Sequence, residues 1–188
     1  GALNAAHLVM LARQDIVTPA QAKAIAGGLL KMESEGPDAI TPDPNLEDSY
    51  FNVEARLIAL VGADPGGRLH IARSRNDLSA ALDRLRMRDA VLRLLDGATA
   101  LRHTLIARGE EFAEVVMPGY THLQPAQPIT FGYYLTGLAS ALERDAARLL
   151  DAWPRLNLSP MGAAALATTT FPVDRALTAR LLGFDGLL

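Results

Sequence analysis

The residues best suited to chemistry lie in three short polar segments that no helical pattern explains. The first segment reads HIARSRND and runs from His70 to Asp77. Helix N-terminal amides, an arginine fork, a hydroxyl and an amide can together hold a carboxylate, so this pattern indicates an anion site. The simpler interpretation is that Asn76 or Asp77 caps the following helix. In that case both arginines, Arg73 and Arg75, face solvent.

The second segment is PGYTHLQP, residues 118–125, in which two prolines bracket a histidine with hydroxyl and amide neighbours. A rigid loop loses little entropy when it holds reactive groups in place. Imidazole exchanges protons near neutral pH, so the segment is compatible with proton transfer by His122. The alternative is an ordinary loop histidine that bonds to a backbone carbonyl.

The third segment is SPMGAA, residues 159–164, followed by TTTFP at residues 168–172. Small residues permit close approach of a ligand or a helix to the backbone. From the residues alone, a tight connection between helices is the favoured interpretation. The sequence predicts no metal site, because the four histidines show no H-E-x-x-H spacing, and the absence of cysteine excludes a cysteine nucleophile.

Helices must position these segments, because strand signals are almost absent. Ala and Leu dominate, and no segment alternates between apolar and polar residues for long. Thr18 before Pro19 indicates a capped helix start. The predicted helices are 3–12, 19–34, 46–60, 77–108, 128–152 and a short one from about Asp174. The predicted loops between them are 36–45, 62–67, 117–128 and 157–172.

The longest predicted helix carries a leucine stripe from Leu78 to Leu105, with spacings near three, four and seven residues. At about 1.5 Å per residue it would be on the order of 45–50 Å long. A rod of that length needs neighbours along its sides, as in a helix bundle. A second stripe runs from Phe131 to Leu149. The fold class predicted from these patterns is all-α.

Composition excludes several classes of protein. The chain has 188 residues, 49% of them hydrophobic, and a net charge of −3. Nucleic-acid binding would need a clustered basic face, whereas the arginines at 84, 86 and 88 are flanked by Asp83 and Asp89. No apolar run reaches the roughly 20 residues of a membrane span, and no secretory signal is visible, so we expect a cytoplasmic protein. Because it starts at Gly1 and stops at Leu188, we expect a fragment of a longer protein.

Four stretches, taken in order, resemble argininosuccinate lyase of the fumarase–aspartase superfamily. They are LEDSYFNVEARLI (46–58), GGRLHIARSRND (66–77), MPGYTHLQPAQPI (117–129) and LSPMGAAALATTTFPVDR (158–175). The resemblance covers nearly the whole chain. It implies a lyase that eliminates fumarate from argininosuccinate by C–N bond cleavage, giving arginine, without a metal or organic cofactor. It also implies an all-α fold with a small helical N-terminal domain, residues 1–72 and incomplete at its start, followed by residues 73–188 as part of a central helical bundle.

The resemblance also assigns roles to particular residues. Ser74, Arg75 and Asn76 would bind the carboxylate of a small-molecule substrate. Thr121 would bind substrate, and His122 would take part in proton transfer. The expected assembly is a homotetramer in which each active site is built from segments of three subunits. A third such segment in the family, a flexible loop with a catalytic serine in a sequence like S-S-x-M-P-Q-K-K-N-P, is absent from these residues.

Departures from the family pattern leave the amine half of the substrate open. The family usually reads T-G-R-S-R-N-D-Q, whereas this chain has Ile71 and Ala72 before the arginine and Leu78 after the aspartate. Thr168 stands where a glycine is common. The alternatives are therefore a lyase acting on another N-substituted aspartate, of adenylosuccinate, aspartate or aminopolycarboxylate type, and a non-catalytic structural member of the same fold.

Overall fold

The computed structural model describes all 188 residues and is dominated by seven α-helices. They are α1 (Ala2–Arg13), α2 (Pro19–Glu35), α3 (Ser49–Val61), α4 (Ala63–Arg68), α5 (Arg75–Glu111), α6 (Phe131–Leu156) and α7 (Arg175–Leu181). Four short strands accompany them: β1 (Val116–Thr121), β2 (Gln124–Thr130), β3 (Leu158–Ser159) and β4 (Gly186–Leu187). A 3₁₀ turn covers Pro37–Ala39. The predicted all-α class is confirmed.

Side-chain caps fix where several helices begin. The Thr18 hydroxyl accepts from the Gln21 N–H at 3.3 Å, and the Gln21 side chain accepts from the Thr18 N–H at 3.0 Å, which completes a capping box. Asp174 accepts from the Leu177 N–H at 2.8 Å and starts α7 as predicted. Asp48 caps α3 in the same way, so α3 begins at Ser49, three residues later than the sequence predicted.

Contacts between Cα atoms group the chain into two compact units. Unit 1 contains residues 1–85 and 157–188, and unit 2 contains residues 86–156. Two apolar clusters lie in unit 1. The buried members of the first are Leu8, Met10, Leu11, Val17, Ile25, Leu57 and Leu69. Those of the second are Ala6, Ala81, Met161, Ala179, Leu182 and Phe184. The predicted domain boundary after residue 72 stays a prediction.

A β-hairpin occupies the segment that the sequence predicted to be a loop. β1 and β2 pair antiparallel from Val116↔Thr130 to Thr121↔Gln124, with an irregularity between Pro118 and Tyr120. Prolines suppress the strand signal because they cannot donate to a ladder. In a two-stranded ribbon each strand has one unpaired edge, where the missing N–H of a proline is tolerated. Because β2 extends to Thr130, the following helix starts at Phe131 and not at Pro128.

Two other boundaries also differ from the prediction. The glycine-rich residues after Gly62 form the short helix α4, where a loop was expected. Gly66 is needed there because a Cβ at this position would lie 2.8 Å from the Ile58 Cα, so α3 and α4 approach closely. Pro154 lies inside α6, which ends two residues later at Leu156. None of the helices is both long and apolar enough to cross a bilayer.

Candidate active site

The start of α5 presents the predicted anion-binding residues. The Ser74 carbonyl accepts from the Leu78 N–H at 3.2 Å, so Ser74 flanks the helix and neither Asn76 nor Asp77 is the cap. The Ser74 hydroxyl oxygen accepts from the Asn76 N–H at 3.2 Å, and the Ser74 N–H donates to Asp77 Oδ1 at 2.9 Å. The backbone N–H groups of Ser74 and Asn76 are therefore already bonded within the helix start and do not face a ligand. The Ser74 hydroxyl proton and the exposed Asn76 side chain are the donors available for an anion.

Arg75 is held by two carboxylates on the approach to α3. Its guanidinium bonds to Asp48 at 2.7 Å and to Glu47 at 3.1 Å, and it lies 4.9 Å from the centre of the Phe51 ring. The Phe51 N–H and then Arg75 hold the pKa of Asp48 below its usual range. The two carboxylates, Asp48 first, raise the pKa of Arg75. A substrate carboxylate at Arg75 would have to compete with both of these partners.

Arg73 is buried, contrary to the interpretation that placed it in solvent. Only 6% of its surface is exposed, and its guanidinium donates to Asn4 Oδ1 at 2.8 Å and to the Tyr50 hydroxyl at 3.2 Å. The Tyr50 oxygen lies 2.6 Å from His70 Nδ1. Burial, with the charge of Arg73 second, lowers the pKa of His70. This polar network joins α1, α3 and the chain just before α5.

His7 supports the same chain segment from α1. It is 1% exposed, and its Nε2 lies 2.9 Å from the Ile71 carbonyl oxygen. Burial, followed by the nearby Arg73, lowers the pKa of His7 to about 4. The ring is therefore neutral near pH 7 and donates its Nε2 proton to that carbonyl. Sequence reasoning missed this contact, since the partners are 64 residues apart.

Asp77 joins the first predicted segment to the third. Its carboxylate is 4% exposed, and Oδ2 accepts from the N–H groups of Gly162 at 3.1 Å and Ala164 at 2.9 Å. The structure thus brings Ser74–Asn76 and the 159–164 segment together within unit 1. Sequence reasoning assigned no such role to Asp77. The available signal was an acidic residue three positions after a serine at a helix start, which is the spacing of a capping box.

His122 lies at the tip of the hairpin in unit 2. It and Leu123 form a two-residue turn between β1 and β2, with φ of +49° and +63°. Such turns require positive φ at both central positions and usually contain asparagine and glycine. The imidazole is exposed, as is the neighbouring Thr121. The turn therefore presents the side chain of His122 to solvent at the tip of the hairpin.

Two of the departures from the family pattern fall on unusual backbone. Ala72 has φ of +60° and Thr168 has φ of +68°. Positive φ is uncommon for residues other than glycine, and for a β-branched residue such as threonine it is an outlier. A glycine is common in the family at both positions. The backbone at Ala72 and Thr168 therefore has the left-handed conformation that favours glycine, although both residues carry a side chain.

Comparison with known proteins assigns the family. A family model described as Lyase matches residues 4–187. The chain belongs to this lyase family. It is 44% identical over 186 residues to argininosuccinate lyase 1 of Shouchella clausii, and 48% identical over 187 residues to argininosuccinate lyase of Natronomonas pharaonis. These matches cover 99% and 100% of the chain but 37% of each relative, so the chain spans little more than a third of their length.

Solved structures of other enzymes share the fold. An EDDS lyase in complex with formate superimposes with a TM-score of 0.90 at 36% identity, over 100% of this chain and 36% of that one. A 3-carboxy-cis,cis-muconate lactonizing enzyme from Pseudomonas putida gives a TM-score of 0.81 at 22% identity, over 100% of this chain and 44% of that one. The second likeness shows the fold alone.

Proposed function

We propose that the full-length lyase containing this chain eliminates fumarate from argininosuccinate by C–N bond cleavage and releases arginine. The observation that carries the proposal is the 44–49% identity to argininosuccinate lyases over essentially all of these residues. Because those relatives are more than twice as long, the activity belongs to the whole protein. No cofactor is invoked, since proton transfer and fixed hydrogen-bond donors suffice for the elimination.

In this proposal the start of α5 binds a substrate carboxylate. The substrate proton lies on a carbon next to that carboxylate, and its removal builds negative charge on the carboxylate oxygens. Fixed donors from Ser74, Arg75 and Asn76 stabilise this charge more than they stabilise the ground state. The internal bonds of the Ser74 and Asn76 amides support this role, because they fix the two side chains without consuming their own donor groups.

His122 takes part in proton transfer, and Thr121 binds substrate beside it. The departing nitrogen must accept a proton, which imidazole gives directly or through water. The exposed turn supports this assignment, because it presents the ring on a short, sterically constrained hairpin. The structure assigns His122 to unit 2 and Ser74–Asn76 to unit 1. In the proposed enzyme the two segments meet through assembly as a homotetramer with shared active sites, in the cytoplasm.

A second candidate is elimination of fumarate from another N-substituted aspartate, such as an aminopolycarboxylate. The EDDS lyase likeness favours this candidate, since it covers the whole chain at a TM-score of 0.90. The departures at Ile71, Ala72 and Leu78 adjoin the proposed carboxylate site in the sequence, although the side chains of Ile71 and Leu78 pack against the two apolar clusters. Both candidates share the fumarate half of the substrate and differ only in the amine half.

Fumarate release over a substrate panel separates the candidates. The full-length protein is incubated with argininosuccinate, ethylenediamine disuccinate, adenylosuccinate and aspartate, and fumarate is followed by its ultraviolet absorption. We expect the highest kcat/KM with argininosuccinate. A preference for ethylenediamine disuccinate would select the second candidate. No fumarate from any of the four would contradict the lyase activity and favour a non-catalytic member of the family.

A further inference from the structure

Asp77 is a buried carboxylate whose hydrogen bonds all come from the backbone. Its exposed fraction is 4%, and three N–H groups donate to it, those of Ser74, Gly162 and Ala164, at 2.9–3.1 Å. These backbone donors satisfy both oxygens of the buried carboxylate. The position of Asp77 at the start of α5 adds the favourable field of the helix N-terminus.

The two oxygens of this carboxylate hold different parts of the chain. Oδ1 accepts from Ser74 at the start of α5, and Oδ2 accepts from Gly162 and Ala164, which lie 85 and 87 residues further on. Gly162 has φ of +81° and Ala164 has φ of +53°. The Ala163 N–H between them donates to the Pro160 carbonyl at 3.1 Å, so alternate N–H groups of this turn converge on one point, as in the backbone nests that bind anions. Here the anion in the nest is the side chain of Asp77.

The loop is also fixed on its far side, by α7. Arg175 Nε donates to the Met161 carbonyl at 3.0 Å. The aliphatic part of the same side chain packs over Gly162, where an added Cβ would lie 2.6 Å from Arg175 Cγ. The loop that binds Asp77 is therefore itself held by α7. A displacement of the loop would also displace Ser74, because the Asp77 carboxylate bonds to both.

We propose that Asp77 is a positioning residue for the lyase reaction, which sets the carboxylate-binding side chains of Ser74 and Asn76 against the 159–164 loop. The inference rests on the proposed function. Asp77 does not touch substrate. It fixes the N–H of Ser74 and thereby the turn from which the Ser74 hydroxyl and the Asn76 amide project. The loop, which the sequence indicated to be only a connection, thereby becomes the support of the binding site.

The test is the substitution Asp77→Asn in the full-length protein. Steady-state kinetics are measured with whichever of the four substrates named above gives the highest kcat/KM. The amide nitrogen of asparagine would face an N–H donor, so at least one of the three bonds is lost and the α5 start is released from the loop. We expect kcat to fall about tenfold or more, with a smaller change in KM, because the donors that Asp77 positions act mainly on the charge of the transition state. Gly162→Ala keeps Asp77 and shifts the loop, because its Cβ meets Arg175, and should lower kcat as well.

The matched control is Thr178→Val in α7. Thr178 is 2% exposed, and its hydroxyl donates to the Asp174 carbonyl at 3.3 Å. The change should lower the melting temperature while leaving kcat within about twofold of the parent value, because this bond lies outside both the 159–164 loop and the start of α5. In addition, Asp77→Asn combined with Asn76→Ala should lower kcat by less than the product of the two single effects, because Asp77 acts partly through Asn76.

The outcomes are separable. A lowered kcat in folded Asp77→Asn and Gly162→Ala, with an unchanged kcat in Thr178→Val, supports positioning. Equal kinetic effects in all three variants, or an unchanged kcat in Asp77→Asn while the parent releases fumarate, would overturn this inference and leave the proposed function intact. Absence of fumarate from the parent protein would overturn the proposed function and, with it, this inference.

Discussion

At the scale of single residues, the polar side chains of the candidate site divide into buried ones that hold the structure and exposed ones. Arg73, Asp77 and His7 are buried and hydrogen-bonded to neighbours, so they fix the chain around residues 71–77, although Arg73 Nε has no hydrogen-bond partner. Asn76 and His122 are exposed. Arg75 is intermediate, because it is partly exposed yet paired with Glu47 and Asp48.

We predict that His122→Asn in the full-length protein lowers turnover about 10²- to 10⁴-fold, the usual effect of losing a general acid or base. Asparagine tolerates positive φ, so the hairpin turn is kept while the imidazole is removed. His122→Ala should lose as much activity. If His122→Asn keeps turnover within a few-fold of the parent, the ring serves only the turn. Single-turnover and steady-state fumarate assays measure the effect.

For the carboxylate site, we predict that Asn76→Ala and Arg75→Ala each lower kcat/KM about 10- to 100-fold, as expected when a hydrogen bond to a charged ligand is lost. The control is Asp48→Asn, which breaks an ion pair of Arg75 but leaves the guanidinium in place and keeps a side chain able to cap α3. It should change kcat/KM only a few-fold. If it instead reproduces the loss in Arg75→Ala, Arg75 acts through Asp48 and not on the substrate.

Acid should destabilise the protein through His7. In the folded state the pKa of His7 is about 4, against 6.5 for an unperturbed histidine. Below pH 6.5 His7 binds a proton in the unfolded chain but stays neutral in the folded chain. The contribution of neutral His7 to stability is therefore fully present above pH 6.5 and is lost as pH falls toward 4. The free energy of unfolding should drop by about 2 kcal/mol between pH 7 and pH 5 from this residue.

Urea denaturation of the parent and of His7→Gln at both pH values tests this expectation. Glutamine can donate to the Ile71 carbonyl but does not titrate. The variant should therefore lose about 2 kcal/mol less than the parent on acidification. Equal losses in the two proteins would show that His7 does not have a depressed pKa in the folded state.

At the scale of elements, a short hairpin presents His122 and a long helix presents Ser74–Asn76. The hairpin has proline in both strands and positive φ at both turn residues, so its local sequence disfavours the structure that it adopts. The local sequence at the start of α5 instead favours the structure that it adopts, because the side chains of Ser74 and Asp77 accept from backbone N–H groups there. The proposed carboxylate-binding groups thus lie at a stable helix start, and the proposed proton-transfer group lies on a strained turn.

We predict that Leu123→Gly stabilises the protein by on the order of 0.5–1 kcal/mol, since glycine avoids the left-handed penalty of a side chain at φ of +63°. Leu123 is 93% exposed, so little packing is lost. Leu123→Ala is the control, because it removes the same side chain but keeps the Cβ, and it should give no gain. A gain of equal size in both variants would locate the effect in the exposed leucine instead of the backbone. Chemical denaturation gives both values.

At the scale of the whole molecule, apolar burial is uneven. Both apolar clusters belong to unit 1, and no buried residue of either comes from residues 86–156. Within unit 2 many large apolar side chains of α5, α6, the hairpin and the residue just before it are about half exposed or more. These are Met87, Leu92, Leu94, Leu101, Val115, Val116, Tyr120, Leu123, Tyr133, Tyr134 and Leu150. Such a surface is typical of an interface or of a bundle that needs further helices.

We predict that these 188 residues, expressed alone, self-associate and release no fumarate. Self-association is expected because many large apolar side chains of unit 2 are exposed to solvent. Inactivity is expected because the serine-bearing loop implied by the family resemblance is absent from these residues. Light scattering on the purified fragment and a fumarate assay test the two halves of the prediction. A monodisperse monomer would contradict the first half, and fumarate release would contradict the second.

The sequence by itself determined the helical class, several helix starts and the family resemblance, because these depend on neighbouring residues. Thr18 with Gln21, Asp174 with Leu177 and the spacing of leucines in α5 are signals within one or two helical turns. The polar segments around Ser74 and His122 were recognisable for the same reason, since each is a short run of unusual residue types. The prolines of the hairpin misled the prediction, because pairing in a two-stranded ribbon outweighs strand propensity.

Only the tertiary structure decided what the polar residues contact. Arg73 lies against Asn4, 69 residues away, and Asp77 binds backbone donors 85 and 87 residues away. No local pattern specifies such partners, because they depend on how α1, α3, α5 and the 159–164 loop pack together. A buried charge is tolerated only where packing supplies its donors or acceptors. Packing therefore buries Arg73 and Asp77 among their partners and leaves Asn76 and His122 exposed.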